Sequence, residues 1–581
     1  MRPAVPARIG VAAVLLAAAV LPAACTGVPR SGTPQIVQSV DEQQPEQAVI
    51  TPQPGRDPRG IVQDFLFNNA SNDEHHSAAR AFLTPEEKSR WSDSAGATIV
   101  DRVQVGVFKD NTVTVTGHEI GTLDSTGAYT PILQSDGGSS AGPKWQEPIG
   151  LKKVDGQWRI DTPLGSGLVI TATQFAQFYN APKSVYYFDQ AEQRLVPDAR
   201  YSSLTDPGLL ANWLMQQLVV APNSALTTAL PNVPSGNPVK VTTSGQTLVV
   251  DLPGASQLNA NTKNLMAAQV ALTLDQADRN ARMRITDGGQ PVVIPQVGSA
   301  TFDADQFRAE YLPTPRSPKL YYVDQGAVYD DAVKPMPGPL GSASSNLTSV
   351  ALASSTTSSR LRVAGTTGPS NDATLSLGQS GGALRPTSVR GQLSRPSWAP
   401  DVDEVWIGDG GVLYRVDGTG HASRVPIAFR SATATGRILS VRFSPEGARV
   451  ALVIEGTAGR GQLWIGTIAR APTSVRVSDL HPISPDGVAL RDASWNDQSL
   501  LMAVGHDVSS GDPSVYVVHS DGSLWTSLGT GNLPPGLDSI TVAPGTVAAV
   551  SAGGEVWEQS NGTWAGLGNG PTYGTNPVYV E

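Results

Sequence analysis

Arg395-Pro396-Ser397-Trp398-Ala399-Pro400, Val441-Arg442-Phe443-Ser444-Pro445-Glu446-Gly447, Asp492-Ala493-Ser494-Trp495-Asn496-Asp497 and Ile540-Thr541-Val542-Ala543-Pro544-Gly545 are four versions of one phrase. Their central positions, Trp398, Phe443, Trp495 and Val542, are spaced by 45, 52 and 47 residues. Each phrase precedes an apolar run (Glu404–Ile407, Val450–Ile454, Leu500–Val504, Val547–Val550), and then a run carrying an aromatic (Leu413-Tyr414, Leu463-Trp464, Val515-Tyr516, Val556-Trp557). A period of about 40–50 residues holding several short strands predicts a β-propeller. A fainter fifth member lies at Ser349–Ala353 with Leu361–Val363. Lys319–Val323 and Val578–Val580 are placed to close the ring by pairing first and last strands, which leaves five or six blades open. The propeller is expected over residues 316–581, with the Ser/Thr/Gly-rich Gly341–Ser359 and the Gly505–Asp512 turn among its loops.

Upstream, Pro313, Pro315 and Pro318 mark a linker around Leu312–Lys319. Before it, residues 183–300 alternate strand and helix signals. Strands at Val185–Phe188 and Leu195-Val196 flank an Asp189–Arg194 turn, and Asp206-Pro207 opens a helix spaced by Leu210, Trp213, Leu214 and Leu218. A hairpin turns at Ser244-Gly245, a second helix covers about Thr262–Ala277, and Met283-Arg284-Ile285 precedes the Asp287-Gly288-Gly289 turn. The stretches SVYYFD, PGLLANWLMQQLVVAP, QTLVVDLPG and MAAQVALTLDQ resemble the GerMN domain of spore-germination and cell-envelope proteins, an α+β unit.

Residues 57–180 begin with Asp57-Pro58, an N-cap acceptor before proline at the first helical position. Ile61, Val62, Phe65 and Leu66 give that helix one apolar face, and a second helical stretch spans about His76–Trp91 with a restart at Thr84-Pro85. The period then changes to two. Val103, Val105 and Val107 alternate, Lys109-Asp110-Asn111 turns, Val113 and Val115 return, and Ile149–Val154 pairs with Gln157–Ile160 across Asp155-Gly156. Helices on a curved antiparallel sheet resemble the NTF2-like cone, also α+β.

The N-terminus sets the address. Arg2 and Arg8 precede the apolar run Ile9–Leu21, too short for a bilayer span and fitted to a signal peptide over residues 1–24. Cys25, the single cysteine, follows Ala23-Ala24 and resembles the lipobox of bacterial lipoproteins, with Pro22 where that pattern usually carries leucine. The resemblance makes Cys25 the lipidated residue and the bilayer a partner through its acyl chains. Residues 25–56, with prolines at 29, 34, 45, 52 and 54, read as a tether. The expected location is the cell membrane, lipid-anchored, on the extracytoplasmic face. The formal charge of -10 becomes -12 once residues 1–24 are set aside, which disfavours nucleic acid. Only 16% of residues are charged, while 59 glycines and 45 prolines point to turns and β structure.

Lipobox, tether, cone-like domain, GerMN domain and propeller, in that order, resemble the LpqB family of actinobacterial lipoproteins over nearly the whole chain. The resemblance implies contact with the extracellular part of a membrane sensor kinase of a two-component system, MtrB.

The residues supply no complete catalytic constellation. Gly378-Gln379-Ser380-Gly381-Gly382 matches G-x-S-x-G, but Ala383–Arg390 contains Pro386 and no helical face, so Ser380 is expected in a propeller loop. His75 and His76 are adjacent, unlike metal-ligand spacing, and are expected in a solvated first helical turn. His421, His481, His506 and His519 fit loops, Asp401, Asp403 and Glu404 a charged turn, and Asp251 and Asp275 stand isolated. No cofactor and no metal are expected. Three function classes remain: a non-enzymatic tethered binding or accessory protein, a module binding cell-wall glycan (peptidoglycan), and an envelope hydrolase.

Overall fold

The computed structural model describes residues 48–581 apart from 134–141, 163–164, 166, 221, 223–225, 227–232, 235–238, 314–318, 356–357, 431–433, 457–458, 472, 544–546, 561 and 568–571. The signal peptide, Cys25, most of the tether and the core of the proline linker lie outside the described residues.

The first layer starts with helix Pro58–Asn68, whose Ile61, Val62 and Phe65 are buried because they recur at helical spacing. Asp57 adopts the N-cap conformation, but its side chain makes no capping bond, contrary to the sequence expectation. Thr84 does cap Pro85–Arg90, accepting from the Glu87 N–H. The sheet runs Gln157–Ile160, Lys144–Val154, Thr112–Leu123, Ala97–Lys109, Leu168–Thr171. It is antiparallel except at one edge, where Leu168–Thr171 pairs parallel with residues 97–100. Among the described residues the long strand Ala97–Lys109 is unpaired on that side beyond residue 100, and register shifts interrupt it three times, devices that blunt an edge against further pairing.

In the second layer the hairpin Lys183–Phe188/Leu195–Arg200 stands apart from a sheet built on Lys240–Ser244, Thr247–Asp251 and Arg282–Asp287. The last two strands pair parallel, so they need a crossover, and helix Ala260–Leu274 provides it. That helix is apolar nearly all round, Met266, Val270 and Leu274 being fully enclosed with Leu214 and Leu218 of helix Pro207–Val220.

Among the described residues the third layer contains five sheets, one of them nine-stranded and spanning two blades through a bridge between Gly461 and Leu490. The first consists of Leu320–Asp324, Ala327–Asp330 and the C-terminal Thr575–Tyr579, which pairs antiparallel with Leu320–Asp324 and closes the ring. The ring therefore has six blades. Their inner strands are Thr575–Tyr579, Leu347–Ala353, Ser397–Trp398, Ile438–Phe443, Val488–Trp495 and Leu537–Ala543. Leu347–Ala353 agrees with the fainter repeat member expected at Ser349–Ala353 and corrects the expectation of a long loop over all of Gly341–Ser359. Apolar clusters fill every gap between adjacent blades, for instance Trp406 against Phe443 with ring centroids 4.9 Å apart. Burying each such side chain contributes roughly 1.5–3 kcal/mol.

Five of the six inner strands share a register shift toward their N-terminal ends: 347/349, 438/440, 490/492, 537/539 and, at closure, 575/578. In four of them the residue after the shift is polar and buried, namely Ser349, Ser440, Asp492 and Ser539.

One propeller face is covered by the other two layers. Arg194 of the second layer bonds Asp401, and Gln498 donates to the Leu195 carbonyl. Tyr201 bonds Ser523, and Leu524 packs against the first layer's core. Gly522 must be glycine there: its φ is +86°, and a Cβ would meet the Ile483 carbonyl and the Pro131 ring at 3.0–3.2 Å. Residues 44–581 form one compact unit.

Candidate binding site at the propeller axis

The bulged inner strands point their polar residues at the axis. Asp492 accepts from Arg395, Arg442, the Ser440 hydroxyl and the Ile540 N–H, so four blades meet on one carboxylate. Arg395 also donates to the Pro577 carbonyl at 2.6 Å, which ties in the closing strand. Burial would push the Asp492 carboxyl up; Arg442 and Arg395 overcome it and hold it below the usual carboxylate range. Burial pulls the Arg395 guanidinium down, with Asp492 opposing. The Arg395 Nε is buried with no hydrogen-bond partner among the described residues. The axis is a packed, charged plug.

Above the plug lies a cavity of about 450 Å³. Trp398, Phe443, Trp495, Val542 and Tyr579, at the ends of five inner strands, form its collar, so the repeated phrase is the collar. Leu312, Pro313 and Arg194 of the second layer form the other wall. One face of Trp398 carries the Arg362 guanidinium at 4.7 Å, and Trp495 carries Arg449 at 5.1 Å. A second cavity, about 550 Å³, opens between the first two layers and is lined by Asp73, His76, Asp93, Tyr179, Tyr201 and Trp213 among others.

Cys25 lies outside the described residues. Ser380 follows strand Ala373–Gln379 in a turn, its hydroxyl accepting from the Leu361 N–H, and the chain continues into strand Arg385–Gly391 rather than a helix. The nucleophile-elbow context is absent. His75 is exposed, but His76 is not in a solvated turn: both sit at positive φ, and burial holds His76 below its ordinary value. His481, His506 and His519 are in strands rather than loops, and burial likewise lowers His481 and His519. Asp401 and Asp403 form the expected turn and bond Arg194 and Arg362. Glu404 instead begins a strand and is buried against Trp406, Arg415 and Arg470. Asp251 and Asp275 are not isolated; Thr286 and Arg308 engage them. Among the described residues no cluster of three or more His, Cys, Asp or Glu is arranged to hold a metal. Sequence reasoning missed Arg395, Ser440 and Asp492, although each stands three residues before the phrase's aromatic.

Fold and site together define a multidomain β-propeller protein whose ring is closed, plugged on its axis and roofed by two α+β layers. Three family models match in the same order: the N-terminal domain of lipoprotein LpqB over residues 51–176, the sporulation and spore germination domain over 184–293, and the LpqB β-propeller domain over 325–580. Lipoprotein LpqB of Rhodococcus jostii strain RHA1 is 30% identical over 476 residues, 76% of each chain. That of Nocardia farcinica is 29% identical over 600 residues, 95% of this chain and 94% of its own. TolB from Acinetobacter baumannii superposes with a TM-score of 0.34 at 15% identity, over 48% of this chain and 70% of its own. The chain belongs to the lipoprotein LpqB family. It is therefore an envelope lipoprotein, and among its described residues no helix is long and apolar enough to cross a membrane.

Proposed function

We propose that this chain is a non-enzymatic accessory protein, anchored by acylated Cys25 to the extracytoplasmic face of the cell membrane. Its role is to modulate an MtrB-like sensor kinase through protein contact, with the propeller as the contact platform. The working domains are 57–180, 183–300 and 316–581. The observation that carries the reading is the welding of all three folded layers into one body, with the two N-terminal layers seated against the propeller. Such a body suits presentation to a partner rather than closure on a substrate, and the Ser380 turn lacks the elbow that hydrolysis would need. The family membership supports the anchor. Confinement of protein and kinase to one membrane surface raises their effective concentration, so a weak contact suffices. A cell-wall glycan remains the second reading, favoured by the GerMN-type layer.

The test is Cys25→Ser together with crosslinking in intact cells. The variant is expected to take up no labelled palmitate, to leave the membrane fraction and to lose its kinase crosslink. Mature Cys25→Ser protein that stays in the membrane as firmly as wild type would move the anchor elsewhere. Wild-type protein crosslinking to peptidoglycan and to no kinase would put the glycan reading first.

A further inference from the structure

The collar cavity is apolar where its walls come from inner strands, and acidic at its rim. Its two lining arginines are already committed: Arg442 to the axial carboxylate, Arg194 to Asp401 through both Nε and Nη2. Asp497 is different. Its Oδ1 accepts from the Ser499 and Leu500 amides at 2.6 and 2.8 Å, its Oδ2 accepts only a long bond from the Asn496 side-chain amide at 3.4 Å, and no basic side chain lies within ion-pair distance among the described residues. A carboxylate that keeps acceptor capacity beside an apolar cavity invites a cation.

The shape of the apolar part narrows the ligand further. A sugar ring stacks on a flat aromatic face, but Arg362 covers a face of Trp398 and Arg449 a face of Trp495. With one face of each indole already occupied, the aliphatic carbon of Val542, Leu312 and Pro313 is a main part of the apolar lining, and it fits a branched side chain. The volume, about 450 Å³, sits in the range of about 300–1,000 Å³ usual for ligand pockets. The cavity is also a seam: one wall belongs to the propeller, the other to the second layer, so an extended segment lying across it touches both.

We propose that this cavity is a peptide-recognition site, which takes an aliphatic or aromatic anchor side chain from an extended partner segment and pairs a neighbouring lysine or arginine with Asp497. The proposal rests on the reading of the propeller as contact platform and names where on it a partner binds. A buried apolar anchor flanked by a charged pair is the usual energetic centre of such contacts.

The experiment is selection of a phage-displayed library of random 12-residue peptides on the full chain in detergent micelles, followed by titration of the best synthetic peptide. The expected consensus places an apolar residue next to Lys or Arg. Leu312→Trp, which fills the cavity, should weaken that peptide at least tenfold, and Asp497→Asn several-fold with a reduced dependence on salt. Val580→Trp, filling from the opposite wall, replaces Leu312→Trp if the latter melts below wild type. The proposal is overturned if no sequence is enriched, if binding survives both filled cavities, or if the consensus is acidic. It is equally overturned if a muropeptide disaccharide quenches tryptophan fluorescence and loses that effect in the filled variants, which would make the occupant a glycan. The selection contains no kinase, so its failure leaves the crosslinking result untouched, and a missing crosslink leaves the selection untouched.

Discussion

At the scale of single residues, Asp492 is a carboxylate that survives burial because two guanidiniums face it. Removing its charge leaves Arg395 and Arg442 opposed in the channel with nothing between them. Asp492→Asn should therefore cost about 3–5 kcal/mol, the usual penalty for breaking a buried pair. The pH dependence has a definite sign. The folded-state value is depressed, so this stabilisation is present above the unfolded value of about 3.9 and is lost as pH falls through the folded one. Asparagine imitates the protonated acid, so the stability gap between wild type and variant should stay constant from about pH 5 to 8, begin to shrink below about pH 4, and close only as pH falls through the folded value. Urea unfolding at pH 7, 5 and 3.5 reads it directly; a gap that is small at pH 7, or unchanged at pH 3.5, contradicts the account. In the sequence this plug was half legible. Arg395 and Asp492 stand at one position of the repeated phrase, but only ring closure brings residues 97 apart into contact. Glu404 and His76 were misread for a related reason, since short polar runs look solvated until the third dimension covers them.

At the scale of elements, the strand Thr575–Tyr579 belongs by sequence to the end of the chain and by pairing to the first blade. Val578 and Tyr579 are 5% and 6% exposed; Val578 packs in one cluster with Tyr321, Val323 and Leu352, and Tyr579 in another with Leu320, Tyr322 and Ala549. A chain shortened to end at Gly574 loses those two side chains and uncovers their partners. The expected loss is about 4 kcal/mol or more, which for a unit of this size is ~4 °C or more in melting temperature. Calorimetry with a dye that reports exposed apolar surface measures both effects. An unchanged melt with no added dye binding would mean that the ring does not depend on its closing strand. The pairing was readable in advance because both runs are short, apolar and at the ends of the repeat array. The second blade was legible only faintly, at Ser349–Ala353 with Leu361–Val363, because its inner strand packs through small residues: Ala351 and Ala353 lie against Ala364 and Leu375. Small side chains bury well between blades, yet in a sequence they look like loop.

At the scale of the whole molecule, the interface between the N-terminal layers and the propeller decides how fragments behave. It combines the Arg194–Asp401 pair, the Gln498 bond to Leu195, the Tyr201–Ser523 bond and the Gly522 approach to Pro131 with apolar packing of Leu524 and Ala448. Burial also keeps the Tyr201 hydroxyl protonated far above its ordinary range, so it stays a hydrogen-bonding group at every working pH. The exposed Arg194 pair contributes little by itself, about 0–1 kcal/mol. The buried hydrogen bond and packing do most of the holding, each at the level of about 1 kcal/mol or more. Nothing in the sequence announced this seam. Its residues are scattered turn positions, and the proline linker invited a picture of independent beads. A protease site placed within residues 314–318 tests which picture holds. After cleavage, the two halves should still elute together on gel filtration at micromolar concentration, and Tyr201→Phe with Gln498→Ala should release a measurable fraction. If the cleaved wild-type halves separate at once, the layers are independent beads after all, and a cavity walled by both of them loses its claim to be a partner's site.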